Sequence, residues 1–395
     1  MPTLSPFARP LYVMLKPASS LCNLRCHYCY YRPPSSIPPP PSSFLPPPSM
    51  SDALLERFTQ EYIEAQTMPQ VLFTWHGGEP TLRPLDFYKR AIALQRRYAR
   101  GRQIDNCLQT NGTLLDDEWC QFLAENHFLV GLSIDGPQPF HDQYRLDAQG
   151  RPTWERVMRA MQLLNKHGVE WNVMATVNHA NADHPLEFYQ FFRQHHCHYI
   201  QFAPVVETVH GAPSPESVAS EQLGRFLCAI FDEWVRSDVG TTYVEIFDCT
   251  LANWVGQTPG ICAYARDCGH AAVMESNGDV YSCDHFVRPE HRLGNIAEKS
   301  LVEMLYGEQQ QRFSRIKSQQ LPQQCRECDV LFACHGECPK NRILTDRYGN
   351  PGLNFLCSGY RMFYQHVAPY MDFMANELAH QRPPANIMQA IRENQ

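Results

Sequence analysis

No stretch of eighteen consecutive apolar residues occurs in this 395-residue chain, so a membrane-spanning helix is not expected. The opening segment MPTLSPFARPLYVMLKP has an apolar core too short and too interrupted for a secretory signal, which points to the cytoplasm. Basic clusters are also missing. Lys and Arg number 34 against 41 Asp and Glu, a formal net charge of -7, and no Lys/Arg run stands out. This argues against nucleic acid or an anionic membrane as a partner. No repeat of solenoid period is present. What remains, at 44% hydrophobic content, is a globular chain long enough for two or three domains.

Cysteine, in contrast, is abundant. Sixteen thiols in a chain with no export signal favour metal ligation or catalysis over disulfides, because the cytosol keeps thiols reduced. Cys107, Cys120, Cys197, Cys228 and Cys249 stand alone in helix-like or strand-like stretches, where free Cys acts as a small buried hydrophobe. The other eleven fall into two groups, one near the N-terminus and one between 262 and 357.

Between the groups, β-rich runs alternate with helix-period stretches. The strands are expected at 11–15, 71–75, 104–110, 128–134, 171–177 and 199–205. Ser51 is placed to cap the helix that begins at Asp52. Six successive βα units predict an α/β fold, a partial (β/α)6 barrel, with function carried by the loops after each strand. Those loops hold the N-terminal Cys triplet, HGGEP, QTNG and SIDGP. The Pro/Ser-rich stretch 32–49 reads as an extended loop flanking the first site. From about 240 the βα alternation stops, cysteines become dense, and ESNGDVYSCDHF reads as a hairpin around Asn277 and Gly278. The expected domains are 1–239, 240–360 and a helical segment 361–395, in which Pro369 interrupts a Met- and aromatic-rich periodicity suited to packing.

Cys22, Cys26 and Cys29 converge from one loop with one ligand fewer than a structural zinc site or a [4Fe-4S] cluster needs. On spacing alone, a cluster open at one corner and a zinc site borrowing a distant ligand both stand. The eight later thiols, Cys262, Cys268, Cys283, Cys325, Cys328, Cys334, Cys338 and Cys357, make two four-ligand sites, again of zinc or iron-sulfur type.

SLCNLRCHYCYY, with Tyr28 before the last Cys, matches the radical S-adenosylmethionine (SAM) signature. Together with FTWHGGEPTL, LQTNGTLLDDEWCQFL, FLVGLSIDGPQPFHDQYR, VMESNGDVYSCDHFV, RLGNI and CPKNR, it resembles the anaerobic sulfatase-maturating enzymes nearly end to end. These carry a cysteine-rich SPASM extension. The resemblance implies three [4Fe-4S] clusters and SAM as cofactors. Cys22, Cys26 and Cys29 would hold the cluster that binds SAM. Cys262, Cys268, Cys283 and Cys338 would hold the first auxiliary cluster, and Cys325, Cys328, Cys334 and Cys357 the second. Tyr28, Gly77, Gly78, Glu79, Ser133, Arg145 and Ile200 resemble SAM-site residues, the two glycines letting the backbone approach the cofactor.

The implied reaction oxidises a Cys or Ser side chain of an unfolded or nascent sulfatase to Cα-formylglycine without molecular oxygen. A 5'-deoxyadenosyl radical would take hydrogen from the substrate Cβ, Asp284 would take the thiol or hydroxyl proton, and an electron would leave towards the auxiliary clusters. Flavodoxin or ferredoxin would supply electrons. His76 and Tyr31 are expected to contact the substrate peptide. His76 stands where some relatives have Gln, Glu337 where relatives tend to have Gly, and the Pro-rich stretch replaces a charged one. The alternative is another SPASM peptide maturase, forming thioether or carbon-carbon crosslinks. Such enzymes often add an N-terminal peptide-binding domain, for which no room is expected before residue 11. A zinc or iron-sulfur regulator would leave HGGEP and the six βα units unexplained.

Overall fold

The computed structural model describes residues 10–31, 49–269 and 271–393. All but one residue of the Pro-rich stretch lie outside them. All six expected strands form: β1 (Tyr12–Leu15), β2 (Gln70–Trp75), β3 (Gln103–Thr110), β4 (Phe128–Ser133), β5 (Glu170–Val177) and β6 (Tyr199–Pro204). A helix follows each one in the chain. After β1 that helix is Asp52–Glu64, and Ser51 caps it by accepting from the Leu54 N–H, as its sequence position requires.

The chain divides into two compact units. The first comprises Met1–Ser133, Arg145–Trp171 and His270–Ser314. In it, β1, β2, β3 and β4 run parallel in that order, with Leu15 opposite Trp75, Val71 opposite Ile104 and Leu108 opposite Val130. Val13, Leu15, Phe73, Trp75, Leu108, Val130 and Leu132 are buried, the near-continuous apolar content of a parallel sheet covered on both faces. Edge-to-face and stacked contacts among Phe58, Tyr62, Phe73, Trp75 and Tyr88 fill the space below the helices. The indole N–H of Trp75 finds its partner in Asn106 Oδ1 at 2.9 Å.

The expected hairpin forms, and it belongs to this same sheet. Strand Ala271–Met274 runs parallel to β1, with Tyr12 opposite Ala271 and Leu15 opposite Met274. It then pairs antiparallel with Asp279–Tyr281, which pairs in turn with Arg292–Asn295. Gly278 takes φ +87° at the turn, where a side chain would be strained. A segment more than 250 residues from β1 therefore extends the sheet beside it.

The second unit comprises Ile134–Tyr144, Asn172–Gly269 and Arg315–Gln395. Here β5 and β6 pair in parallel, Val173 opposite Ile200, and β6 pairs with the short strand Tyr243–Val244. Helices Ser220–Ser237 and Cys357–Ala379 pack closely: a Cβ on Gly359 would lie 1.9 Å from the Ser220 carbonyl oxygen. The second helix continues through Pro369 rather than stopping there, and its Tyr360, Phe363, Tyr364, Met371 and Met374 are buried as expected. Among the described residues no helix is long and apolar enough to cross a membrane.

Candidate active site and iron-sulfur centres

In the first unit the chain leaving β1 crosses the chain leaving β2. The His76 N–H donates to Leu15 O at 2.8 Å, Gly78 N–H to Ser19 O at 2.7 Å and Glu79 N–H to Leu21 O at 2.8 Å. A Cβ on Gly78 would sit 2.1 Å from Leu21 O, and one on Gly77, at φ +120°, 2.7 Å from Ser19 O. The backbone that these glycines admit is therefore the chain's own segment 19–21, which ends beside Cys22. Sequence reasoning had assigned that clearance to a cofactor.

Glu79 is fully buried, and its side chain braces the site from within. It accepts from the Thr81 N–H (2.9 Å) and hydroxyl (2.6 Å), the Thr110 hydroxyl (2.7 Å) and the Asn111 N–H (2.8 Å). Burial raises its pKa, and these hydrogen bonds act in the opposite direction. Asn111, in the QTNG loop, reaches Asn23 Oδ1 at 2.9 Å and Cys22 Sγ at 3.8 Å, while the Asn23 amide donates to the Thr113 hydroxyl at 2.8 Å. The ends of β2 and β3 thus set the position of the Cys loop. Tyr28 and Arg145 are both buried, with the guanidinium 5.6 Å from the ring centroid, within cation–π range. Ser133 Oγ accepts from Gln109 Nε2 at 3.0 Å. Ile200 is buried in the second unit, opposite Val173 and Val244.

Asp284 begins a short 3-10 turn after strand Asp279–Tyr281. The pairing of β1 with Ala271–Met274 brings it to the residues that leave β1. Lys16 N–H donates to Met274 O at 2.9 Å, and the Ser19 and Ser276 hydroxyls lie 2.7 Å apart. The fully buried Lys16 places its Nζ 3.0 Å from Glu275 Oε1 and 2.8 Å from Asp284 Oδ1. The Tyr31 hydroxyl donates to Asp284 Oδ1 at 2.6 Å, and the Tyr30 hydroxyl donates to Oδ2. Lys16 Nζ lies 4.1 Å from the Tyr31 ring centroid, and that ring is 6.4 Å from His76, whose Nδ1 accepts from the Gly77 N–H at 2.7 Å.

Burial opposes a charge on Asp284, but Lys16, His76 and His285 outweigh it and hold the carboxyl far below the usual carboxylate range. Burial lowers the pKa of His76, and the neighbouring Asp284 acts in the opposite direction. Burial and the neighbouring Asp284 push the Tyr31 phenol well up, so it stays protonated and donates. Asp284, Tyr31 and His76 were expected from the sequence; Lys16, Tyr30 and Glu275 were missed. Lys16 carried a usable signal, because it stands at the C-terminal end of a parallel strand, where such folds place function.

In the second unit, Cys325, Cys328, Cys334 and Cys357 line one cavity of about 100 Å³, with Arg347 and Arg361 at its wall. Cys334 ends a short helix, and the chain reverses at once through His335 (φ +50°), Gly336 (φ +72°) and Glu337 (φ +48°). The third of these is the position where Gly would sit without strain. Glu337 is buried, and its carboxylate accepts from Asn341 at 3.0 Å and Asn354 at 2.6 Å. Nearby, the fully buried Lys317 donates to the carbonyls of Cys262 (2.7 Å), Ala263 and Ala265, and Arg342 donates to those of Gly336 (3.0 Å) and Lys317 (2.9 Å). Of the remaining thiols, Cys262, Cys268 and Cys338 belong to this unit and Cys283 to the first.

Burial pushes Cys325 up to about 11 and Cys334 up to about 12, so a bound metal must displace their protons. Among the described residues no three His, Cys, Asp or Glu side chains close on a single metal ion. Four thiols lining one cavity are a donor set that suits a four-thiolate zinc site or a [4Fe-4S] cluster. Of the isolated cysteines, Cys120, Cys197 and Cys249 are buried as expected, whereas Cys107 and Cys228 are only half-buried.

The chain matches the Radical SAM superfamily model over residues 17–192 and the SPASM iron-sulfur cluster-binding domain over 266–329. It is 58% identical to a serine-type anaerobic sulfatase-maturating enzyme of Bacteroides thetaiotaomicron, over 99% of this chain and 97% of the relative. A cysteine-type enzyme of Clostridium perfringens is 32% identical over 93% of this chain and 99% of the relative. A solved structure of anSMEcpe with bound AdoMet and the Cp18Cys peptide superposes with a TM-score of 0.83 at 32% identity, covering 93% of this chain and 100% of that one. The expected α/β architecture, with a radical SAM domain and a SPASM domain, is thereby established, as is the dependence on [4Fe-4S] clusters and SAM. The chain belongs to the anaerobic sulfatase-maturating enzymes of the radical SAM superfamily.

Proposed function

We propose that this radical SAM oxidoreductase converts a serine of a sulfatase polypeptide into Cα-formylglycine, with Asp284 as the proton acceptor. Formylglycine formation follows from the family; the choice of serine is supported by 58% identity to a serine-type relative against 32% to a cysteine-type one. The crosslinking alternative is not favoured by a near full-length relative that matures sulfatases. The observation that carries the reading is the Asp284 carboxylate, held by Lys16, Tyr30 and Tyr31 in the same compact unit as the Cys22–Cys29 loop.

Turning a serine CH2OH into an aldehyde removes two hydrogens in all: one hydrogen atom, one proton and one electron. When bound, the clusters and SAM supply the one-electron chemistry, removing the hydrogen atom at Cβ and accepting the electron left behind. The protein manages the proton. Asp284 is kept ionised by the cation beside it and receives the hydroxyl proton; the half-buried His76 packs on the ring of Tyr31 beside it. Cys22, Cys26 and Cys29 would hold the cluster that opens on SAM, near the buried Tyr28–Arg145 pair. Cys325, Cys328, Cys334 and Cys357 would hold a fully ligated one. For the other auxiliary cluster we retain the ligands named from the resemblance. A flavodoxin- or ferredoxin-type donor, a cytoplasmic setting and an unfolded or nascent substrate complete the proposal.

Anaerobic reconstitution with iron and sulfide, followed by SAM, reductant and matched serine and cysteine peptides of the sulfatase motif, tests it by mass spectrometry. The serine peptide should lose two hydrogens at the target residue. Modification of the cysteine peptide alone would reverse the assignment.

A further inference from the structure

The two oxygens of Asp284 are not equivalent. Oδ1 takes the Lys16 ammonium at 2.8 Å and the Tyr31 hydroxyl at 2.6 Å, while Oδ2 accepts from the Tyr30 hydroxyl. The groups on Oδ1 are fixed. Lys16 is fully buried, shared with Glu275 at 3.0 Å and tied through its own backbone to Met274. Tyr31 is packed against Lys16 and His76. Tyr30, in contrast, is 37% exposed; its ring lies 4.2 Å from that of Tyr31 and edge-on to His285. The more exposed of the two phenols is therefore the one on Oδ2.

We propose that Oδ1 is the anchoring oxygen and Oδ2 the working one, and that the Tyr30 phenol occupies the place of the substrate hydroxyl until the substrate displaces it. This rests on the formylglycine reading above. Lys16 and Tyr31 are then positioning residues, and Tyr30 competes with substrate rather than binding it. In the proton step the substrate O–H bond breaks and its proton forms a bond to Oδ2. The O–H electron pair and the unpaired electron on Cβ together give the second C–O bond of the aldehyde and one electron, which the iron-sulfur clusters of the established reaction accept. An anchored Oδ1 keeps Oδ2 aimed while this happens, as pre-organised sites require.

The two phenols differ by one position in the chain, yet the proposal gives their removal opposite signatures. With the cluster-loaded, SAM-bound enzyme and a serine sulfatase-motif peptide, Tyr30→Phe should lower KM roughly ten-fold or more, the fold-change of one hydrogen bond to a charged group, with kcat retained. Tyr31→Phe should leave KM in place and lower kcat by roughly ten-fold or more, the scale of a hydrogen bond to a charged group. It should also lower the aldehyde formed per SAM cleaved. Lys16→Met should show the same loss of aldehyde per SAM cleaved, and Lys16→Arg should restore part of it. A raised KM in Tyr30→Phe, or equal effects of the two Tyr→Phe changes, would overturn the assignment while leaving formylglycine formation intact. An unaltered enzyme that cleaves SAM and leaves the peptide unchanged would instead sink the functional reading itself.

Discussion

Cys22, Cys26 and Cys29 lie within eight residues on one loop, whereas Cys325, Cys328, Cys334 and Cys357 come from four places along a 33-residue stretch and line a single cavity. The first set is positioned from outside: two glycines let segment 19–21 pass, and Asn111 fixes Cys22 and Asn23. The second is positioned by its own fold, with a helix end at Cys334, three left-handed residues after it and a long helix starting at Cys357. Three ligands from an externally held loop leave a cluster one position for a small molecule. Four ligands closing a cavity leave none, which suits electron transfer or structure.

The largest effects should come from exchanging the two sets. Cys26→Ala should abolish SAM cleavage altogether, while Cys334→Ala should keep a measurable part of it and lose aldehyde formation, with iron content falling by one cluster in each protein. Equal loss of SAM cleavage in both would erase the distinction. Next is Gly78→Ala, in which a methyl group would meet Leu21 O at 2.1 Å. Backbone must shift, at a cost of about 1–3 kcal/mol, so thermal denaturation should show a lower Tm and SAM cleavage should fall with it.

A smaller effect on SAM cleavage is expected from Glu337→Gly. It relieves about 1–2 kcal/mol of left-handed strain but strips the buried Asn341 and Asn354 amides of an acceptor, worth about 1–3 kcal/mol each. The net result should be modest destabilisation in a denaturant titration and faster loss of iron to a chelator, with SAM cleavage little changed. Least of all should follow from Cys228→Ala, half-buried on helix Ser220–Ser237: iron content and cluster absorbance should match the unaltered protein.

The six parallel strands were legible because each carries a local apolar run and a turn signal, and the cap at Ser51 and the turn at Gly278 are equally local. The strand Ala271–Met274 beside β1 was not, because no nearby residue encodes a pairing across more than 250 positions. The same holds for the site. Asp284, His76 and the cysteines stand in recognisable motifs, but the ion pair of Lys16 with Asp284 exists only once the sheet brings two distant loops together. Tyr31, two residues past Cys29, is expected to contact the peptide, but nothing local shows that its hydroxyl donates to Asp284. Gly77 and Gly78 are legible as points of close approach, and the chain's own segment 19–21 is what a side chain there would meet.

The central claim is that Asp284 takes the proton of the side chain being oxidised. Asp284→Asn keeps the shape and removes the charge, and the reconstituted variant can be given SAM, reductant and the serine peptide while 5'-deoxyadenosine and aldehyde are counted in the same sample. The account predicts continued SAM cleavage with aldehyde reduced by at least about 100-fold, the scale of general-base catalysis. Aldehyde at the unaltered yield per SAM cleaved would contradict it.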